Sequence, residues 1–229
     1  MPELDAVVFD LDSTLCVSTQ SDAEIHEAIF ERTGISKFFE PADLHAVDWS
    51  ALPEPDSERE HYEYMYRAVA KEVGADPDHA PALADATVEV IDPSAVAFRE
   101  GAADALAYAR DRCDLTLLTN GSEDSQLPKV DRLGVGDCFE TVVCCGPGTG
   151  IESKPHPEPF ERALDALGTA PERTAYVGDR HDGDVVGAHV AGMQSVWVPT
   201  GVPGEDYPED PDPAPTHRLD SMTELPSVL

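Results

Sequence analysis

The chain has 229 residues, 41% of them hydrophobic, enough to bury one sizeable core with an inserted unit or two small cores. Its 46 Asp and Glu against 15 Lys and Arg give a formal charge of −31, which argues against nucleic acid and anionic membranes as partners, because phosphate backbones need neutralisation by basic side chains. No run approaches about 18 consecutive apolar residues, the start Met1-Pro2-Glu3-Leu4-Asp5 lacks the basic stretch of a secretory signal, and five cysteines without a C-x-x-C pair fit a reducing cytoplasm.

Ala6-Val7-Val8-Phe9 is a short, wholly apolar run and predicts a buried parallel strand. Ser21 and Glu24 have capping-box spacing, and Ile25, Ile29 and Phe30 line one helical face up to a stop at Gly34. Residues 41–56, with Trp49, Pro53 and Pro55, predict a loop holding a short helical turn. A second helix is expected from about Glu58 to Val73, with Tyr62, Met65, Tyr66, Val69 and Val73 on its apolar stripe and Gly74 ending it. Asp76-Pro77 predicts an N-cap and first-turn proline for a third helix through Leu83 to Val90. The block 16–93 shows no strand pattern.

From about Ala95 helices alternate with apolar strands. Helices are expected over 102–110, 126–133, 157–167 and 185–191, and strands over 115–118, 141–143, 174–177 and 195–198. That alternation predicts an α/β core, a Rossmann-like three-layer arrangement around a central parallel sheet to which the strand at 6–9 also belongs. The expected division is therefore 1–15 with 94–229 as the core and 16–93 as an inserted α-helical cap. A Pro- and acid-rich stretch at 201–215 predicts a surface loop, 216–219 an edge strand, and Ser221 with Glu224 a short terminal helix.

Polar residues gather where the strands end. Asp10-Leu11-Asp12-Ser13-Thr14 delivers two carboxylates to the edge of the sheet where α/β proteins bind ligands. Two like charges so close are costly without a cation or proton between them, so the pair suggests a metal site or an acid beside a nucleophile, against a plain solvated acidic turn. Thr119-Asn120-Gly121 offers a hydroxyl and backbone N–H groups suited to phosphate oxygens. Lys154, one of only four lysines, lies between Ser153 and a proline-stiffened helix start and could neutralise a phosphoryl group. Gly178-Asp179-Arg180-His181-Asp182-Gly183-Asp184 places three carboxylates after a buried strand, hard oxygen donors that suit Mg²⁺.

In this order, at successive strand ends, these motifs resemble the haloacid dehalogenase-like (HAD) hydrolase superfamily over 1–15 and 94–229, with the inserted helices similar to its helical cap. Ser13 departs from the glycine common at that position. The resemblance implies Asp10 as the nucleophile that forms an aspartyl-phosphate and Asp12 as the acid and base. It implies Thr119, the Asn120 N–H and Lys154 as phosphate-binding groups. Mg²⁺ would be held by Asp10, the Asp12 backbone carbonyl and Asp179, with Asp184 bound directly or through water. Asp12 favours phosphoryl transfer, since true dehalogenases lack that second acid. A phosphonate-cleaving member would need a cap lysine, and neither Lys37 nor Lys71 has specific support. The implied activity is a Mg²⁺-dependent phosphomonoesterase acting on a small phosphorylated metabolite, as a monomer or homodimer. The alternatives are a phosphosugar mutase of the same superfamily and a non-catalytic regulatory or binding protein on the same scaffold. Among the histidines, His26, His45, His61 and His79 read as solvated or core-edge residues of the cap with room for one substrate contact, and His181 as a neighbour of the metal loop. Arg180 reads as a surface ion-pair partner. The spread of acidic residues along the whole chain resembles cytoplasmic proteins of salt-accumulating microbes.

Overall fold

The computed structural model describes residues 4–47, 52–200, 208 and 210–229. Trp49, the His45 side chain and most of the Pro-rich stretch at 201–215 fall outside these bounds. Two compact units form, one from Met1–Val17 with Val96–Leu229 and one from Ser18–Ala95.

The larger unit is built on a six-stranded sheet: β1 (Ala6–Phe9), β4 (Asp114–Asn120), β5 (Thr141–Cys145), β6 (Thr174–Gly178), β7 (Gln194–Trp197) and β8 (His217–Arg218), in the order β5-β4-β1-β6-β7-β8. All five pairings are parallel, with Phe9 opposite both Leu117 and Val177. Side chains alternate across the sheet, as the pleat demands, and divide into two cores. Val7, Phe9, Leu115, Leu117, Ala175, Val177 and Val196 pack with α4 (Ala102–Arg110), α5 (Glu123–Leu133) and the terminal 3₁₀ turn Met222–Ser227. Val8, Leu118, Val143 and Tyr176 pack on the other face with α6 (Pro157–Leu167) and α7 (Val186–Val190). Helices on both faces of a parallel sheet make the three-layer Rossmann-like architecture. Gly187 lets α7 lie directly on α6, since a Cβ there would meet the Phe160 ring at 2.2 Å.

The chain moves from β1 to β4 and β5 on one side of the sheet, then returns to β6 on the other side of β1. Strand order thus reverses around β1, and the crevice at the carboxyl ends of β1, β4 and β6 is where such sheets hold ligands.

The smaller unit contains α1 (Asp22–Thr33), α2 (Glu58–Val73) and α3 (Ala80–Val90), plus a 3₁₀ turn at Pro41–Ala46. The Ser21–Glu24 capping box is formed in both directions. Ile29, Phe30, Phe39, Met65, Tyr66, Val69 and Leu83 make its core, and the Tyr66 hydroxyl meets Thr87 Oγ1 at 2.7 Å.

Several local expectations need correction. Val73 is 40% exposed, because it ends α2 beside the left-handed cap Gly74, beyond the reach of the core. Asp76 caps a separate 3₁₀ turn, Pro77–His79, and α3 begins only at Ala80; Pro81 has no N–H to bond back to the preceding turn. Cys16–Ser18 is a short strand, β2, paired with β3 (Val96–Phe98) in a separate two-stranded sheet. The expected helix at 185–191 is preceded by a π-helical turn, His181–Val185.

Candidate active site

All the residues singled out from the strand ends come together. Asp10, Asp12, Ser13, Thr119, Asn120, Lys154, Asp179 and Asp184 line one cavity of about 300 Å³, with Arg180, Asp182 and Gly183 at its wall. Each arrives by a local cause. Buried β1 ends at Phe9, so Asp10 is the first polar side chain past the sheet, and its N–H still bonds Val177 O at 2.9 Å. Ser13 has φ 62°, the left-handed region usually occupied by glycine. That turn is held by Arg99, whose guanidinium donates to the carbonyls of Ser13 (2.8 Å), Val198 (2.7 Å) and Pro199 (2.8 Å).

Lys154 is the hub. Its ammonium donates to Asp10 Oδ1 at 2.7 Å, Asp184 Oδ1 at 2.8 Å and the Tyr176 hydroxyl at 2.8 Å, and its side chain is 4% exposed. The Lys154 N–H donates to Asn120 Oδ1 at 3.0 Å, which fixes the loop against the end of β4. The sequence suggested Lys154 and the Asn120 backbone N–H as phosphate-binding groups. Here Lys154 is bound to two carboxylates, and the Asn120 side chain is a structural acceptor that also takes a bond from Cys145 Sγ at 3.0 Å. The Gly121 N–H is spent on Cys145 O at 2.8 Å.

Asp184 reaches the site because the π-helical turn folds it back over Gly178. Its Oδ2 accepts from the Arg180 N–H at 2.9 Å. A Cβ at Gly178 would lie 2.4 Å from Asp184 Cγ, so only glycine admits this approach. Asp179 Oδ1 accepts from Thr14 Oγ1 at 3.2 Å, and the Asp179 carbonyl accepts from Trp197 Nε1 at 2.7 Å.

The electrostatics follow from burial. Loss of water pushes the Asp10 carboxyl up to about 6; the Asp184 and Asp12 charges add to the rise and Lys154 opposes it. Burial disfavours the Lys154 charge, but Asp10 and Asp184 outweigh it and hold the ammonium well above an ordinary lysine. Burial and the Asp184 charge likewise drive the Tyr176 hydroxyl well up, so it is a neutral donor at physiological pH.

Carboxylate oxygens of Asp10, Asp179 and Asp184 lie within 4.8 Å of one another, and all three residues are buried. Three hard oxygen donors converging beside one cation fit Mg²⁺, which is held by few carboxylates and retains waters. The Asp12 carboxylate is not among them. It is bound through both oxygens, at 2.7 and 2.6 Å, by Lys129 of α5.

Tyr176 and Lys129 are site residues missed in the sequence, and Thr14 was quoted there only as the end of the Asp10–Thr14 stretch, with no role. Tyr176 is a polar residue inside an otherwise apolar strand, and Lys129 is a rare cation in a chain with only four lysines. Those were the available signals. His181 is no ligand of the acidic cluster: its Nε2 meets Pro213 O at 3.0 Å and its ring packs edge-on against Trp197. Arg180 pairs with exposed Asp182 at 3.0 and 2.7 Å. His26 is buried in the helical unit, against Phe30 and Phe39, with Nε2 on Phe39 O at 2.8 Å.

Residues 4–192 match the family model described as haloacid dehalogenase-like hydrolase. The chain is 38% identical to a phosphoserine phosphatase of Thermus thermophilus over 169 residues, 71% of this chain and 63% of that protein's length. It is 30% identical to a glyceraldehyde 3-phosphate phosphatase of Methanopyrus kandleri over 233 residues, 98% of this chain and 96% of that one. The HAD-hydrolase YfnB of Bacillus subtilis, solved bound to magnesium, shares the fold with a TM-score of 0.76 at 21% identity, covering 99% of both chains.

Proposed function

The chain belongs to the haloacid dehalogenase-like hydrolase family, and on that premise we propose that it is a Mg²⁺-dependent phosphomonoesterase for a small phosphorylated metabolite. The observation that carries this reading is the buried Asp10–Lys154 contact of 2.7 Å at the floor of a polar cavity. A carboxylate held beside an ammonium and cut off from bulk water is fixed in place as a nucleophile. The named relatives that act on phosphate monoesters support the same reaction class.

Asp10 attacks the phosphorus and takes the phosphoryl group as an acyl phosphate while the ester oxygen leaves. Asp12, two residues on and half exposed, gives that oxygen its proton and then takes a proton from the water that hydrolyses the acyl phosphate. Thr119 and Lys154 face the transferring group, where negative charge needs compensation. Asp10, Asp179, Asp184 and the Asp12 backbone carbonyl would hold Mg²⁺, which when bound supplies positive charge to the phosphoryl oxygens. The helical unit at 18–95, inserted directly after the Asp10–Thr14 turn, is assigned to substrate choice.

The experiment is a phosphate-release screen of the full chain at molar KCl with Mg²⁺, over phosphoserine, glyceraldehyde 3-phosphate, sugar phosphates and nucleoside monophosphates. The expected result is catalytic release from at least one ester, lost on chelation of the metal and in Asp10→Asn. Release from none of them, with the protein shown folded, would contradict the proposal. Release that requires a bisphosphate primer would point to a mutase.

A further inference from the structure

We propose that Lys129 is a positioning residue that clamps the Asp12 carboxylate in the orientation its proton transfers require. This inference rests on the phosphatase reading for its chemistry, and on geometry alone for the clamp. The Asp12 side chain is 48% exposed, so without a partner its carboxylate would sample several rotamers at the cavity mouth. Lys129 reaches it from α5, on a different element 117 residues away in sequence. The ammonium contacts both carboxylate oxygens, at 2.7 and 2.6 Å, which holds the two oxygens turned toward α5.

The lysine is itself held. Its side chain is only 15% exposed, so the methylene stem is packed along the protein and the ammonium has little freedom of its own. The contrast with the chain's surface is informative. Arg180 and Asp182 form an ion pair between side chains 68% and 71% exposed, the arrangement that contributes little to order or stability. The second side of Asp12 is bounded by Cys16, whose Sγ lies 3.8 Å from Oδ1.

Through this contact α5 takes part in two jobs. Gln126, one turn before Lys129, donates from Nε2 to the Asn120 carbonyl at 3.1 Å. The same helix therefore braces the end of β4 with one side chain and the acid/base with another. Lys129 touches no reacting atom in this scheme; its effect passes through Asp12.

The test is a kinetic double-mutant cycle on the full chain with Mg²⁺, using the ester the wild type hydrolyses best, with Lys129→Met, Lys129→Gln, Lys129→Arg, Asp12→Asn and Lys129→Met/Asp12→Asn. Misplacing a catalytic group by about 1 Å can cost about 100-fold, so Lys129→Met and Lys129→Gln are expected to lower kcat by roughly ten- to a hundredfold with KM little changed. Lys129→Arg should recover most of the loss. In the Asp12→Asn background, Lys129→Met should add almost nothing, because residues that act through one another are not additive. An equal loss in both backgrounds, or an effect confined to KM, would overturn the proposal. A readout independent of activity is the Asp12 side chain in crystals of wild type and Lys129→Gln. One conformer in the first and a displaced or split carboxylate in the second is expected; an unchanged Asp12 would overturn the clamp. If the wild type hydrolyses no ester, the phosphatase reading fails, and the crystallographic comparison still decides the clamp.

Discussion

Asp10 and Asp184 place two buried carboxylates around one ammonium, and that imbalance has measurable consequences. The Asp10 carboxyl, pushed up to about 6 in the fold, binds its proton more tightly than the ordinary 3.8 of an unfolded chain. Its contribution to stability is complete below pH 4 and is lost as pH rises through 6. The metal-free protein should therefore lose thermal stability at this residue between about pH 4 and pH 6. A divalent cation at the carboxylates compensates the charge that appears, so Mg²⁺ should raise the melting temperature more at pH 7.5 than at pH 5. Thermal melts with and without Mg²⁺ at both pH values check this, and equal shifts would count against the acidic trio as the binding site. Asp12, by contrast, was legible in the sequence as an acid but not as a clamped one. Its partner Lys129 comes from a helix remote in sequence, and such a contact leaves no local pattern.

At the level of elements, the turns matter as much as the strands. The π-helical turn His181–Val185 is invisible to helical periodicity, yet it is the device that brings Asp184 back over Gly178. Insertions of this kind recur at functional sites. Gly178→Ala should displace Asp184 and weaken Mg²⁺ binding by at least tenfold, measured by calorimetric titration. Gly187→Ala, on the same stretch but facing the Phe160 ring, should instead lower stability by about 1–3 kcal/mol through overpacking and leave Mg²⁺ affinity unchanged. Chemical denaturation of the two variants separates the effects. Helices with strong punctuation, such as α1 between Ser21 and Gly34 or α6 between His156 and Gly168, were readable to within a residue or two. Strands β2 and β3 were not: each has three residues, too few for alternation to register, and they pair across the intervening chain 19–95.

For the whole molecule, the parallel sheet was the most legible feature, because strands buried on both faces are written as near-continuous apolar runs, of which Ala6–Phe9 is the clearest. The order of the strands was not readable from composition, and the reversal around β1 is what gathers Asp10, Thr119, Lys154 and Asp179 from distant positions into one crevice. A formal charge of −31 on 229 residues also sets a global property. Self-repulsion of that size destabilises the compact state at low ionic strength and is screened at high salt, where the Debye length falls to about 3 Å at 1 M. The melting temperature should rise as KCl goes from millimolar to molar concentrations, and a flat or falling profile would show that the acidic surface is locally neutralised.

The central claim is that Asp10 carries the phosphoryl group. Acid quenching of Asp12→Asn during reaction with an aryl phosphate, followed by peptide mass spectrometry, tests it most directly. The aryl group leaves without a proton, while hydrolysis of the intermediate lacks its base, so a phosphoryl group should accumulate on the peptide containing Asp10. A phosphoryl group on any other residue, or phosphate release by Asp10→Asn at the wild-type rate, would contradict it.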